Sequence, residues 1–367
     1  MLILVTGASG FVGSQLVPRL LSGGHRVRAL ARDPTRVDVE GIMSHSLEDP
    51  QAQAQAQAGA RARGHIRRHA SARARGGDGA ENNTLEIITG DALTGDGLAR
   101  ALRGVEVAYY LIHSMERTPA REKEEVSFPE RERIAAENFA AAASRAGVRR
   151  LVYLGGPTTS WTGANDAGDP EVLSRHLRSR EAVERILRDA ISDTVVLRAS
   201  IVIGARSRSF RFLVRLIERM PVLALPSWHT HRTRPIDARD VIGMLAAAAT
   251  VTTTAGHTLD VGGPEVLSYG EMIRRIAEEM LLARPTIGLG FSATPLTARL
   301  AAAIADEDPE LVSALMESLQ GDLLPGGLDG SSHLHAATML GIDLHSFDAA
   351  VERSLREWES VEELTAR

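Results

Sequence analysis

Three glycines near the start of the chain have the spacing of a phosphate-binding turn. An apolar run at residues 2–5 leads directly into residues 6–13, which read Thr-Gly-Ala-Ser-Gly-Phe-Val-Gly. Gly7 permits the sharp turn, Gly10 lets the backbone approach a pyrophosphate, and Gly13 lets the next helix lie close to the strand. The amide groups at the start of that helix attract phosphate oxygens. The same spacing also suits a tight turn without a ligand. The residues predicted to bind the dinucleotide here are Gly7, Ser9, Gly10, Phe11, Val12 and Gly13.

The residue after the second predicted strand distinguishes the two nicotinamide cofactors. This strand runs from His25 to Ala31 and is followed by Arg32. An acidic side chain at this position would bind a ribose 2′-hydroxyl, whereas an arginine can pair with a 2′-phosphate. We therefore predict NADP as the cofactor, with NAD as the alternative. A solvated arginine in a basic surface loop is the competing interpretation.

Apolar spacing along the chain predicts strands that alternate with helices. The first helix carries an apolar stripe, contains Pro18, which favours a kink, and ends at Gly23 and Gly24. Such alternation is typical of an α/β fold with a Rossmann doubly wound parallel sheet, which binds ligands at the carboxyl ends of its strands. Further strands are predicted at 85–88, 105–112, 150–154 and 194–197, and helices at 96–102 and up to residue 146.

The second half of the chain has mostly helical spacing. We therefore expect a Rossmann domain over 1–200 and a smaller, mostly helical C-terminal lobe over 201–367, interleaved with the sheet, that completes the substrate pocket. The loop at 226–234 either closes over a substrate or is a solvated connection. It contains His229 and His231, but no further ligand spacing supports a metal site. Helices are predicted at 210–220, 269–282 and 346–359, with one or two more within 295–319.

Composition excludes several classes of function. The chain has 367 residues, a net charge of −5 and no cysteine, so it has neither disulfides nor thiolate chemistry. The charge does not favour nucleic acid as a partner, and no apolar run is long enough to span a bilayer. We expect no secretion signal, because the given sequence starts in a predicted strand without a basic n-region or cleavage site. We expect a cytoplasmic protein with a small-molecule substrate and an undetermined oligomeric state.

The segment at about 50–83 interrupts the alternation of strands and helices. It is rich in Gln, Ala, Arg and Gly and lacks periodic apolar residues, so it cannot offset the entropy of ordering. We predict a disordered loop insertion. Its arginines could contact phosphates, but no aromatic residue stands between them to stack on bases.

Deleting Gln51 to Asn82 is expected to leave folding and cofactor binding nearly unchanged. The reason is that loop length enters the free energy of unfolding only logarithmically. Melting temperature and cofactor affinity of the shortened protein measure the effect. A large fall in either would show that the segment is ordered and used.

Several segments together resemble the short-chain dehydrogenase/reductase superfamily, on its extended and atypical branches. The chain is similar to NAD(P)-binding, nucleoside-diphosphate-sugar-epimerase-like proteins. The resemblance implies that Asp91 and Ala92 lie against adenine. It also implies that Leu111 and Ile112 flank the ribose, and that Ser200 and Ile201 approach the nicotinamide. The segments that carry the resemblance are 6–13, 90–92, 109–115, 146–153, 176–180, 197–204 and 234–241.

The catalytic pattern of that superfamily is absent from this chain. Ordinary members use a Tyr-x-x-x-Lys pair, in which the lysine lowers the pKa of the tyrosine. The chain has four tyrosines, none followed by lysine at that spacing, and Lys123 is its single lysine. In the superfamily, a serine or threonine at the end of the fifth strand assists the catalytic pair. In this chain Gly155 and Gly156 occupy that strand end, and Thr158 lies just beyond them.

Matching the family's Lys-x-x-x-Glu-x-x-Leu register places Arg180 at the lysine position and His176 at the tyrosine position. The two lie one helical turn apart on one face. A histidine can exchange a proton beside a hydride transfer, whereas Arg180 can hold the cofactor but cannot act as a base. The competing interpretation is that both are ordinary polar residues on a helix flank. His113, near the end of the fourth strand, is a second candidate.

Two functions follow from these patterns. The first is an NAD(P)-dependent oxidoreductase or epimerase-like enzyme that acts on a small carbonyl or hydroxyl compound. The second is a non-catalytic NAD(P)-binding redox sensor or accessory subunit. The missing Tyr/Lys pair fits the second, whereas the elaborated C-terminal lobe and the His/Arg replacement favour the first.

Overall fold

The structure is a computed structural model. It describes residues 1–42, 84–113, 127–156, 175–289 and 331–360, together with 301–306, 309, 312–313, 316, 319 and 321–324. The predicted insertion at 50–83 lies outside the described residues. Thr158 and Lys123 lie outside them as well.

Seven parallel strands form the central sheet, in the order β11-β6-β5-β4-β1-β2-β3. The order reverses between β1 and β4, and this is where doubly wound sheets bind their ligands. The sequence did not predict β11, a four-residue strand from the C-terminal half. The strands are β1 (Leu2–Thr6), β2 (Arg26–Ala31), β3 (Leu85–Thr89), β4 (Val107–Tyr110), β5 (Arg150–Gly155), β6 (Thr194–Ala199) and β11 (Thr258–Val261).

Helices cover both faces of the sheet. Side chains of α1, α6 and α8 form one apolar core with it, and those of α2, α3 and α4 form the other. Helix α1 continues through Pro18, and its end at Gly23 matches the prediction. These helices are α1 (Phe11–Ser22), α2 (Leu98–Leu102), α3 (Phe128–Arg145), α4 (Arg175–Ala190), α6 (Ala238–Ala248) and α8 (Ser331–Leu340).

A separate apolar core in the described part of the C-terminal lobe joins side chains of three long helices, of some of the short strands and of the helical residues Ala302, Ala305, Val312 and Met316. Helix α7 ends before residue 282, where the sequence predicted its end, because the chain turns at Leu281 with a φ of 57°. The elements are α5 (Arg208–Arg219), α7 (Tyr269–Glu279) and α9 (Phe347–Glu359), with β7 (Val202–Ile203), β8 (Leu223–Leu225), β9 (Arg232–Thr233), β10 (Ile236–Asp237), β12 (Leu267–Ser268) and β13 (Thr286–Gly288).

The fourth strand is shorter than the sequence predicted. The prediction ran to residue 112, but β4 ends at Tyr110. The amide of Leu111 then donates to the Thr6 hydroxyl at the end of β1, at 3.0 Å. The residues after β4 therefore leave the sheet and enter the crevice between β1 and β4. Within the described residues, no helix has the length and apolar character needed to cross a membrane.

Candidate functional site

The glycine turn after β1 is closely packed. Gly7 has a φ of +68°, and a Cβ there would lie 2.7 Å from the carbonyl oxygen of Leu111. A Cβ on Gly13 would lie 2.2 Å from the carbonyl oxygen of Gly7. Such approaches are too short for any side chain. The two glycines therefore serve the sharp turn and the close packing of α1 that the sequence analysis assigned to them.

A cavity of about 540 Å³ extends from this turn along the carboxyl ends of the strands. Its volume is within the range of small-molecule and cofactor sites. The structure brings every residue predicted to contact the cofactor to its wall. These residues are Gly7, Ser9, Gly10, Phe11, Val12, Gly13, Arg32, Asp91, Ala92, Leu111, Ile112, Ser200 and Ile201.

Two arginines line the cavity beyond the end of β2. Arg32 follows the strand directly, and Arg36 ends the short 3-10 helix after it. Between them, Asp33 caps that helix, since its carboxylate accepts hydrogen bonds from the Thr35 amide and hydroxyl, at 3.0 and 2.6 Å. These hydrogen bonds lower the pKa of Asp33. Asp33 is thus engaged in the cap, whereas Arg32 and Arg36 line the cavity.

Hydrogen bonds hold the turn after β3 against the same cavity. The Asp91 carboxylate accepts from the Leu93 amide at 2.9 Å. The side-chain amide of Asn138, on α3, donates to the carbonyl oxygens of Ala92 and Leu93 at 3.1 and 2.9 Å. Asn138 was not predicted as a site residue, and it acts by fixing the backbone of this wall.

A histidine and a buried carboxylate meet where β4 ends. His113 Nδ1 lies 3.0 Å from Glu132 Oε1, and the Ser179 hydroxyl donates to Glu132 Oε2 at 2.8 Å. Glu132 is 5% exposed, whereas His113, at 33%, is open to the cavity that it lines. A carboxylate that receives a histidine ring N–H fixes the tautomer and the orientation of the ring. The arrangement can therefore present one ring nitrogen for proton exchange.

The cavity sets the charges of this pair. Withdrawal from bulk water and the neighbouring Arg180 charge lower the pKa of His113, while Glu132 opposes that shift. Burial raises the pKa of Glu132, but its bonds to His113 and Ser179 and the Arg180 charge outweigh burial and bring it to about 2. At neutral pH the pair is therefore a neutral imidazole beside an ionised carboxylate.

Arg180, on α4, reaches the cavity at the predicted lysine position. One guanidinium nitrogen lies 3.1 Å from His113 Nδ1, and another donates to the carbonyl oxygen of Leu154. Gly156 lets the side chain cross the end of β5, since a Cβ there would lie 3.3 Å from Arg180 Cδ. Among the described residues, its buried Nε has no hydrogen-bond partner. His176 lies on the same helix, but its side chain is outside the described part.

The tyrosines are buried and unsuited to the usual role. Tyr109 donates its hydroxyl to the carbonyl oxygen of Leu245 at 2.7 Å, and Tyr110 packs against Phe139. Burial raises the pKa of Tyr153 to about 12 and raises that of Tyr269 as well. A tyrosine that donates a proton in a short-chain reductase needs a lowered pKa. Burial therefore raises, rather than lowers, the pKa of each of the four tyrosines.

The C-terminal lobe supplies the remaining wall of the cavity. We call its apolar part the lobe wall, defined as Phe212, Leu213, Trp228, Tyr269, Met272 and Ile273. The indole of Trp228 and the ring of Tyr269 meet edge to face, with centroids 6.2 Å apart. The loop at 226–234 is thus a packed part of the lobe rather than a solvated connection. Arg208 is the one basic side chain that the described part of the lobe brings to the cavity.

The histidines of that loop have structural partners. His229 Nδ1 lies 2.9 Å from the carbonyl oxygen of Pro226, and His231 Nδ1 lies 2.8 Å from that of Leu319. A cluster of Asp237, Asp240 and His345 has the spacing of metal ligands. Asp237, however, caps α6 and pairs with Arg353. The cluster therefore joins α9 to α6 as an ion-pair network.

The pairing of His113 with Glu132 was missed by the sequence analysis. Glu132 lies 19 positions away on another element, and the sequence does not reveal such a contact. One signal was present, because Glu132 shares a helix face with Ala135, Ala136 and Phe139, all of which are buried. A carboxylate on an otherwise apolar helix face indicates a buried polar partner.

Comparison with known proteins supports the fold and the cofactor class. The sequence model of the NAD dependent epimerase/dehydratase family matches residues 3–262. A curated relative from Streptomyces griseus, (4-alkanoyl-5-oxo-2,5-dihydrofuran-3-yl)methyl phosphate reductase, is 25% identical and covers 87% of this chain and 86% of its own. A Mycobacterium tuberculosis 3 beta-hydroxysteroid dehydrogenase/Delta 5-->4-isomerase is 28% identical over 47% of this chain and 36% of its own.

Solved structures agree at the level of the fold. UDP-glucuronic acid 4-epimerase from Bacillus cereus, in complex with UDP-glucuronic acid and NAD, superposes with a TM-score of 0.63 and 17% identity. The match covers 99% of this chain and all of the other. The predicted superfamily, its extended branch and the Rossmann-like fold are confirmed. The chain belongs to the NAD dependent epimerase/dehydratase family.

Proposed function

We propose that this member of the family is an NADP-dependent oxidoreductase that reduces the carbonyl group of a small compound, or oxidises the corresponding alcohol. The observation that carries the proposal is the His113–Glu132 pair in the cavity, beside Arg180. A histidine oriented by a buried carboxylate can replace the absent tyrosine as the group that exchanges a proton.

The residues around the cavity fit a dinucleotide phosphate. The glycine turn offers backbone amides to the pyrophosphate, as the close packing of Gly7 and Gly13 permits. Arg32 and Arg36 line the cavity just beyond β2 and Asp33 is engaged in its cap, which supports binding of a 2′-phosphate there. The charges of these residues favour NADP over NAD.

His113 carries the proton in the proposed reaction. When NADPH is bound, it supplies the hydride that reduces the carbonyl carbon. Donation of Nδ1–H to Glu132 leaves Nε2 to hold the proton that the carbonyl oxygen receives, and the product is an alcohol. His113 then takes a proton from solvent. The Arg180 guanidinium lies 3.1 Å from that same Nδ1, which donates to Glu132 and accepts nothing from Arg180, and the Nε of Arg180 stays available to the cofactor or substrate.

A second candidate is a redox sensor that binds the cofactor without turnover. The absence of the Tyr-x-x-x-Lys pair favours it. His176 also stays a predicted proton donor, because its helix supplies the pair in the related superfamily. Both alternatives are distinguished by measurements on the purified protein.

The test is NADPH binding followed by NADPH oxidation against a panel of ketones and aldehydes. We expect saturable NADPH binding and a decrease in absorbance at the nicotinamide band with some members of the panel. Tight NADPH binding without turnover, on this panel or with alcohols and NADP⁺, would favour the sensor. Absence of binding of both NADPH and NADH would contradict both functions.

A further inference from the structure

The lobe wall differs in chemistry from the opposite side of the cavity. Its six side chains are apolar or aromatic, and they belong to the core of the lobe. The opposite side carries the glycine turn and the charged residues near Arg32 and Arg180. A ligand that spans both sides therefore has a polar end at the strands and an apolar body at the lobe.

The Trp228 indole gives a second, independent observation. Its Nε1 is buried and, within the described residues, has no hydrogen-bond partner. An indole nitrogen donates only, and buried donors in native proteins nearly always have an acceptor. Trp228 lines the cavity, so a second oxygen on a bound substrate, distinct from the reacting carbonyl, can complete this bond. The simple ketones used as probes below lack such an oxygen and test the apolar contacts of the wall alone.

The basic residues of the lobe argue against a nucleotide as the substrate. A nucleoside diphosphate carries two phosphates, and proteins hold such groups with several arginines, lysines or amide dipoles. The described part of the lobe brings only Arg208 to the cavity. The other lining arginines, such as Arg32 and Arg180, lie on the cofactor side.

We infer that the lobe wall binds the apolar body of an uncharged ketone or aldehyde rather than a nucleoside diphosphate sugar. This inference rests on the proposed function, since it names the substrate class of the same cavity. The carbonyl lies toward His113, and the aliphatic or alicyclic body contacts Phe212, Met272 and Ile273. The driving force is removal of apolar surface from water, which adds with each methylene that enters the wall.

The experiment is calorimetric titration of the NADP⁺-bound protein with 2-hexanone, 2-octanone and 2-decanone. NADP⁺ cannot reduce a ketone, so binding is measured without turnover. We expect affinity to rise about fourfold per methylene until the wall is filled. UDP-glucose is expected to give no heat and no competition with 2-octanone. Affinity that is independent of chain length, or UDP-glucose that displaces 2-octanone, would overturn the inference.

Two variants on one helix locate the effect. Ile273→Thr places a hydroxyl in the lobe wall, and Ile276→Thr makes the same change one turn along α7, at a buried residue that does not line the cavity. Ile273→Thr should weaken 2-octanone binding severalfold, and Ile276→Thr should not. Equal effects would contradict the assignment of the wall. If either variant fails to fold, the wild-type titrations still decide the question.

Failure of the inference and failure of the proposed function give different results. If ketones bind with the expected dependence on chain length but the protein never oxidises NADPH, the lobe wall is a binding site for apolar groups and the proposed reductase activity is wrong. NADPH oxidation with another class of compound, without chain-length-dependent ketone binding, would support the reductase and refute the inference.

Discussion

Replacing His113 with glutamine is expected to lower kcat for carbonyl reduction at least about a hundredfold, which is the usual scale of general acid–base catalysis. Glutamine can still hydrogen-bond to Glu132 but cannot exchange a proton near neutral pH. Because the change removes no phosphate contact, NADPH affinity should stay within a fewfold of wild type. Steady-state kinetics on the wild type and His113→Gln, with cofactor titrations of both, measure the two quantities.

The matched comparison is His176→Phe, at the position that the family register assigns to the tyrosine. If His113 is the donor, His176→Phe keeps most of the activity. If His176→Phe abolishes turnover and His113→Gln does not, the proton comes from α4, as the register predicted. Arg180→Ala should weaken cofactor binding in either case, because its guanidinium lies in the cavity.

The pH dependence of the reaction gives a further readout of the same pair. Reduction needs the protonated imidazole, and the pKa of His113 is lowered, so kcat/KM for reduction should fall as pH rises through a pKa below the ordinary 6.5. Glu132 opposes that lowering, so Glu132→Gln should move the fall to still lower pH. A profile that is unchanged in Glu132→Gln would show that His113 does not carry the proton.

The elements with strong local signals were predicted from the sequence. The glycine turn, β1, β2 and the end of α1 depend on residues that are neighbours in the chain, so spacing alone indicates them. The strand β11 was missed, because four residues carry too little periodicity to be recognised. Its place at the sheet edge depends on pairing with β6, a contact between distant parts of the chain.

The candidate site likewise has one part that could be predicted from local sequence and one part that could not. The cofactor wall follows from motifs, and all of its predicted residues line one cavity. The His113–Glu132–Ser179 contacts join three elements, and no local pattern contains them. Trp228 and Tyr269 likewise meet through the packing of the lobe. Site residues that depend on tertiary contacts could therefore be identified only from the structure. Site residues that act through the backbone of one turn could be predicted from the sequence.

Replacing Arg32 with alanine is expected to weaken NADPH binding by about 10- to 150-fold and to leave NADH binding unchanged. A charge-assisted hydrogen bond between an arginine and a phosphate contributes on the order of 1.5–3 kcal/mol, which corresponds to that range. NADH lacks the 2′-phosphate and so loses nothing. Arg36 also lines the cavity and can keep part of the interaction with the 2′-phosphate. The double variant Arg32→Ala/Arg36→Ala should therefore weaken NADPH binding toward the upper end of that range.

The matched control is Arg26→Ala, which removes an exposed arginine from the opposite end of the same strand. It changes the net charge equally but leaves the cavity intact, so it separates a local contact from a general loss of positive charge. Calorimetric titration of both cofactors against the three proteins gives the affinities. If Arg32→Ala weakens NADPH and NADH equally, or if the wild type shows no preference for NADPH, the 2′-phosphate is not bound by Arg32. NAD is then the cofactor of this site.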